Sequence, residues 1–146
     1  MKVVADTGPL VAAANRRDRA HELAAALLAR LGRELVIPDL VLVEVDQLLR
    51  ARVSSSAARA FLAAVSRGEH SVAFLSAGLL QRATELDALF AGLDLGLVDT
   101  AVMALAERHR MPVLTFDFEH FRATRPERGF WQLVVDERRY SEATAR

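Results

Sequence analysis

The chain has 146 residues, of which 52% are hydrophobic and 26% are charged, and this size and composition predict one globular domain with a buried core. Nineteen basic residues balance nineteen acidic ones, so the formal net charge is zero. The balance excludes a polybasic tail and a strongly acidic solvating protein, but it leaves local patches of either sign open.

The absence of cysteine excludes disulfides, cysteine-rich zinc sites and a thiolate nucleophile. A chain without disulfides fits a reducing compartment, and we expect a cytoplasmic protein. Asp6 interrupts the apolar N-terminal segment before a secretory signal sequence can form, and no run approaches the ~20 apolar residues that cross a bilayer. We therefore expect no membrane segment.

Short apolar runs alternate with helical patterns along the chain. In chain order we predict a strand at 2–5, helices at 10–14 and 20–31, a strand at 35–37, helices at 40–52 and 57–67, a strand at 71–75, helices at 77–90 and 97–109, a strand at 112–115, a helical turn ending at 121 and a strand at 130–135. This alternation predicts an α/β/α sandwich with a central, mostly parallel sheet of about five short strands. We expect a single domain over residues 1–136 and a poorly packed, charged tail over 137–146.

Four carboxylates stand out by their position. Asp6 and Asp117 each follow a predicted strand, and the carboxyl ends of parallel strands share one edge of a sheet. Glu44 and Asp99 lie within apolar helical segments, where an ionised group needs a partner or a metal ion.

Ordinary structural roles can explain each acid taken alone. Asp6 and Asp117 are placed to cap helices, and Asp99 is placed to interact with first-turn amides. Glu44 can share a narrow polar stripe with Gln47. These alternatives remain open for the individual residues.

Taken together, carboxylates that converge on one sheet edge repel one another, and a hard divalent cation relieves that repulsion. The pattern predicts a site for Mg²⁺, with Mn²⁺ also suitable, and phosphodiester hydrolysis as its chemistry. We expect the hydroxyls of Thr7 and Thr115 to orient the carboxylates or a bound water.

Other chemistries lack their motifs. The sequence contains no dinucleotide-binding or Walker-type glycine pattern and no Gly-x-Ser-x-Gly elbow. Its histidines lack the spacing of a zinc site, so we expect them at the surface or at helix ends; they are His21, His70, His109 and His120.

Four segments carry a resemblance to a known family. They are DTGPLVA at 6–12, PDLVLVEV at 38–45, GLVDTA at 96–101 and LTFD at 114–117. In their order and spacing they resemble the PIN-domain ribonucleases of the VapC toxin type, and the resemblance covers nearly the whole chain. It implies a single PIN-like domain.

The resemblance also implies an activity. It makes Asp6, Glu44, Asp99 and Asp117 the catalytic and metal-binding acids of an endoribonuclease that uses Mg²⁺ or Mn²⁺ to hydrolyse single-stranded regions of RNA. It implies two partners besides RNA: a cognate VapB-like antitoxin whose C-terminal segment occupies the groove at the acidic pocket, and a second copy of the chain in a homodimer.

Other functions remain open from the sequence. A catalytically silent PIN-like module would use the groove only for binding, and a housekeeping nuclease would have no antitoxin. A receiver-type domain also gathers acids around Mg²⁺, but its pattern includes a lysine near the last strand, and Lys2 is the only lysine here.

Assigning the four acids to a metal pocket leaves an excess of four positive charges, carried almost entirely by arginine. Arginines near the predicted pocket can contact phosphate or be ordinary surface, so they are not assigned to the site. Phe116 and Phe118 flank Asp117, and we expect at least one of these rings to pack in the core.

Overall fold

A four-stranded parallel sheet forms the centre of the molecule in the computed structural model, which describes residues 1–145. Its strands are β1 (Val3–Ala5), β2 (Leu35–Pro38), β3 (Ser71–Ala73) and β4 (Val113–Leu114). They are arranged in the order β3-β2-β1-β4, and every pair is parallel. The predicted α/β class with a parallel central sheet is confirmed.

The segment predicted as a fifth strand makes only one parallel bridge to the sheet. Leu133 is bridged to Val113, and the backbone N–H of Val113 donates to the carbonyl of Gln132 at 2.8 Å. The N–H of Val134 donates to the carbonyl of Val113 at 3.0 Å. Residues 130–135 therefore extend the β4 edge at one point and do not form a full strand.

Eight α-helices cover the sheet within residues 1–145. They are α1 (Thr7–Ala14), α2 (His21–Leu31), α3 (Asp39–Arg52), α4 (Ser55–Ser66), α5 (Ala77–Leu89), α6 (Leu97–His109), α7 (Phe118–Ala123) and α8 (Glu137–Thr144). Two of them begin at serine caps: the hydroxyl of Ser54 accepts from the N–H of Ala57 at 3.0 Å, and that of Ser76 accepts from the N–H of Leu79 at 3.2 Å. Over residues 1–145, every helix is too short or too polar to span a membrane.

Burial explains why the strands are apolar throughout and why α6 is nearly so. The residues of β1, β2 and β4 are all buried, as sheets covered on both faces require. In α6, residues 100–106 are all buried, and this helix packs against α5, α3 and β1. The packing holds the first turn of α6 beside the carboxyl end of the central strand.

The segment predicted as a poorly packed, charged tail contains the helix α8, in which no residue is buried. Asp136 caps α8 by accepting a hydrogen bond from the N–H of Arg139 at 2.8 Å. The ring of Tyr140 lies 4.7 Å from that of Phe116 and 5.5 Å from that of Phe118, measured between centroids. The α8 helix therefore packs on the segment that follows β4. Arg146 lies outside the described residues, and the division at residue 136 stays a prediction.

The aromatic contact predicts a specific loss of stability. Replacing Tyr140 with alanine removes a ring that packs on two others, and we expect Tyr140→Ala to lower the free energy of unfolding by about 1–3 kcal/mol. Urea unfolding followed by circular dichroism measures the change. Tyr140→Phe is the matched control, because it keeps the ring. Equal stabilities of the two variants would show that the contact does not hold α8.

Candidate functional site

Asp6 lies at the carboxyl end of the central strand and is almost fully enclosed, with 7% of its surface exposed. One of its oxygens, Oδ1, accepts a hydrogen bond from the backbone N–H of Thr7 at 2.8 Å and so caps α1. The other, Oδ2, accepts from the hydroxyl of Thr115 at 2.7 Å. Strand β1 has β2 on one side and β4 on the other, so Asp6 occupies the point where the strand order reverses, which is where open α/β sheets bind ligands.

Thr115 links two of the predicted acids. While its hydroxyl donates to Asp6, the same oxygen accepts from the backbone N–H of Asp117 at 3.0 Å. Asp117 then caps α7, because its Oδ1 accepts a hydrogen bond from the backbone N–H of His120 at 3.1 Å. Asp6 and Asp117 therefore each cap a helix and also lie at the shared edge of the sheet.

Asp99 brings a further carboxylate to this edge from the first turn of α6. Asp99, Asp117 and His120 each offer one ligand atom, and these atoms all lie within 4.8 Å of one another. The Nδ1 atom of His120 is 2.7 Å from Oδ2 of Asp117 and 3.8 Å from Oδ2 of Asp99. We call these three residues the tight group.

The electrostatics of Asp6 reflect burial and crowding. Burial raises the pKa of its carboxyl, and the charges of Asp117 and Glu44 raise that pKa further. The hydrogen bonds from Thr115 and from the backbone of Thr7 oppose the shift. Asp6 therefore lies in a site that penalises its own negative charge.

The pKa of Asp99 is shifted in the same direction. Burial, followed by the charges of Asp6 and Asp117, raises its pKa from 3.8 to about 7, and Glu44 adds a smaller contribution in the same direction. His120 lowers the pKa of Asp99, in the sense expected of a nearby positive charge. At neutral pH the site thus favours a proton, or another cation, on Asp99.

Glu44 lies in α3 and is half-buried. Its charge raises the pKa of both Asp6 and Asp99, so it faces the same edge of the sheet. Neither Glu44 nor Asp6 belongs to the tight group. The structure therefore groups Asp99 and Asp117 with His120, while Asp6 and Glu44 lie near enough for their charges to raise the pKa of Asp99.

His120 is the site residue that sequence reasoning missed, since we expected it at the surface or at a helix end. It lies in the short helix α7, half-buried, with its ring turned towards the two acids. The available signal was its position three residues after Asp117, because residues at that spacing share one face of a helix.

Two buried polar atoms at this site have no hydrogen-bond partner within residues 1–145: Oγ1 of Thr7 and Nδ1 of His120. The short approach of Nδ1 to Asp117 is not directed as a hydrogen bond. Unpartnered buried atoms beside crowded carboxylates are expected where a bound ion and its waters complete the coordination. Carboxylate oxygens suit Mg²⁺ or Mn²⁺, so the acids at this site fit a hard divalent cation.

Comparisons with solved structures identify the same fold elsewhere. VapC20 from Mycobacterium tuberculosis, a toxin that cleaves the sarcin-ricin loop, matches with a TM-score of 0.78 and 24% identity over 90% of this chain and 98% of that chain. VapBC2 from Rickettsia felis, bound to a DNA fragment from its promoter, matches with a TM-score of 0.62 and 18% identity over 84% and 92% of the two chains. A toxin–antitoxin complex from Klebsiella pneumoniae matches with a TM-score of 0.62 and 19% identity over 82% and 90%.

At these identities the likeness shows a shared fold and does not by itself transfer an activity. No curated protein sequence matches this chain. A family model does: the model of the PIN domain matches residues 3–126, which include all four acids and Thr115. The resemblance inferred from the sequence is confirmed, and the chain belongs to the PIN-domain family.

Proposed function

We propose that this chain is a metal-dependent endoribonuclease that hydrolyses single-stranded regions of RNA, and that it is the toxin of a VapBC-type pair in the cytoplasm. The observation that carries the proposal is the convergence of four acids at the switch point of the sheet, with the pKa of Asp99 raised to about 7. A site used only for binding a protein partner has no need of carboxylates crowded to that degree.

The residues that would hold the ion are Asp99 and Asp117 in the tight group, together with Asp6, whose charge also acts on Asp99. An ion bound there supplies Lewis-acid polarisation of the phosphodiester and activation of a water for attack. Thr115 fixes the orientation of Asp6 and the backbone of Asp117 through its single hydroxyl. Glu44 lies outside the tight group, but its charge raises the pKa of Asp99, and we propose that it completes the acidic set around the ion, as the resemblance implies.

The partner part of the proposal rests on the comparisons and on one surface. Two of the structural matches are toxin–antitoxin assemblies. An apolar groove of about 590 Å³ lies between α1, α2 and α4, lined by Leu10, Leu28 and Phe61 among others. We propose this apolar groove as a second docking surface for a cognate antitoxin, apart from the groove at the acids that the resemblance implies. The homodimer that the resemblance implies is also part of the proposed function.

Cleavage of an RNA that contains the sarcin-ricin loop tests the activity, with the products separated on a denaturing gel. We expect cleavage with Mg²⁺ or Mn²⁺, none with EDTA, and a rate at least about 100-fold lower in Asp99→Asn, which removes a ligand without changing its shape. Asp46→Asn is the matched control, because Asp46 lies in α3 and pairs with Arg50 at the surface. Wild-type cleavage by Asp99→Asn would refute the proposed site.

The raised pKa of Asp99 predicts a pH-dependent stability in EDTA. The folded state holds the proton of Asp99 more tightly than the unfolded chain does, since the pKa is about 7 when folded and near 3.8 when unfolded. Stability from this group is therefore complete at low pH and is lost as the pH rises through about 7.

Chemical unfolding in EDTA measures this loss, which we expect to reach about 1–3 kcal/mol between about pH 5 and pH 8. Added Mg²⁺ should stabilise the protein more at the higher pH, because it then replaces the missing proton. Asp99→Asn should make the slope shallower, and Asp6, whose pKa burial also raises, should account for the part that remains. An unchanged slope in this variant would assign the effect to groups other than Asp99.

Thr115 gives a test of how the acids are oriented. Thr115→Val removes both the donor to Asp6 and the acceptor for the N–H of Asp117, and we expect about 10–100-fold lower metal affinity or activity. Thr115→Ser keeps the hydroxyl and should recover most of the loss. Titration with Mn²⁺ by calorimetry separates a binding defect from a chemical one. Equal behaviour of the two variants would show that the hydroxyl does not orient the site.

A further inference from the structure

A polar cavity of about 740 Å³ lies at the end of α6 opposite to Asp99, between that end of the helix and residues 126–132. Three exposed arginines line it: Arg108, Arg110 and Arg128. None of them forms an ion pair with a carboxylate within residues 1–145. The proposed hydrolysis site contains none of these residues.

The acidic residues nearby do not cancel this positive charge. Glu107 is bound by Arg82, whose Nε and Nη2 lie 2.7 and 3.0 Å from its two oxygens. Glu107 also accepts from the backbone N–H of Glu127 at 2.9 Å, and the hydrogen bond from Arg82 lowers its pKa. Of the acids that line the cavity, only the exposed side chain of Glu127 remains to oppose three arginines.

An aromatic ring projects beside these arginines. Phe130 is 86% exposed, whereas the next residue, Trp131, is anchored: its Nε1 donates to the hydroxyl of Thr124 at 3.0 Å, and its ring lies 5.8 Å from that of Phe121. Gly129, with φ of +77°, makes the turn between Arg128 and Phe130. A fixed tryptophan behind a free phenylalanine presents the Phe130 ring to solvent.

We propose that Arg108, Arg110, Arg128 and Phe130, here named the arginine pocket, bind a single-stranded stretch of the RNA substrate beyond the bond that is cut. Guanidinium groups pair with backbone phosphates, and an exposed ring stacks with any base, which together bind single strands without sequence preference. The inference rests on the proposed ribonuclease function and adds a second contact region for the same substrate.

The distance between the two regions suits one RNA strand. Arg110 follows Asp99 by eleven residues, almost all of them in α6, so it lies about 16 Å along the helix axis. That span corresponds to about five stacked nucleotides. The chain from Asp117 to Phe130 also runs from the acids to the pocket and carries an exposed arginine, Arg125, on the way.

An acidic protein segment would also pair with the three arginines, but its carboxylates would not stack on the exposed ring beside them. The pairing of Phe130 with separate guanidinium groups therefore favours nucleic acid over an acidic peptide. The net charge of the chain is zero, so the chain as a whole does not attract a polyanion. A local positive patch can do so.

Fluorescence anisotropy with a labelled single-stranded RNA tests the pocket. An RNA of about 12 nucleotides is long enough to reach from the pocket past the acids. Every protein is the full chain with Asp99→Asn, and the buffer contains EDTA, so binding is measured without hydrolysis. Adding Arg128→Ala and Phe130→Ala should weaken binding at least about 10-fold and reduce the salt dependence by about one phosphate contact.

Two further variants serve as controls. Arg59→Ala removes an exposed arginine from α4, away from the pocket, and should leave the RNA affinity within about twofold of its parent. Phe130→Trp keeps an aromatic face and should bind as the parent does, which separates stacking from a general loss of apolar surface.

The proposal is overturned if the double variant binds RNA as tightly as its parent, if the parent does not bind RNA at low salt, or if an oligo-glutamate peptide binds the pocket in place of RNA. The outcome is separable from that of the proposed function. Failure of the wild-type chain to cleave RNA refutes the nuclease, whereas loss of binding in the double variant supports the pocket irrespective of hydrolysis.

Discussion

Electrostatic repulsion among four carboxylates at the end of one short strand is the constraint on which this structure depends. Asp6 is almost fully buried, and Asp117 and Glu44 both add to the penalty on its charge. Folding such a residue into an apolar core without compensation is costly. Within residues 1–145, Asp6 accepts hydrogen bonds from the backbone of Thr7 and the hydroxyl of Thr115, and the proposed cation would offset the remaining repulsion.

The surrounding fold keeps the carboxylates from moving apart. β1 is enclosed by β2 and β4, which fixes Asp6, and α6 packs along β1, which fixes Asp99. On the third side, Tyr140 of α8 packs on Phe116 and Phe118, the residues immediately before and after Asp117. Asp117 is thus held by aromatic packing on both sides. The stability of the apolar core offsets the repulsion that the site introduces.

Sequence patterns could predict the parallel sheet and the gathering of the acids, because both depend on local signals. Apolar strands buried on both faces are recognisable as continuous runs, and an acid directly after such a run has only one edge of the sheet to occupy. Packing of at least one of the rings beside Asp117 was predictable for the same reason, and Phe118 is buried.

The remaining features depend on tertiary contacts that leave little trace in the sequence. The α8 helix is highly charged and is held mainly by Tyr140, so its composition resembles that of a solvated tail. Residues 130–135 have the composition of a strand but make only one bridge, because the segment meets β4 at its first residue. His120 is a single residue whose role arises only when α7 and α6 bring it between two acids.

We infer that the acids form one electrostatically coupled cluster whose charge a bound cation offsets. Carbon-13 NMR titration of the side-chain carboxyl of Asp99, with and without Mg²⁺, measures that coupling directly. We expect a midpoint near 7 in the metal-free protein and a midpoint well below it once Mg²⁺ is bound. A midpoint close to the ordinary 3.8 in both conditions would contradict it.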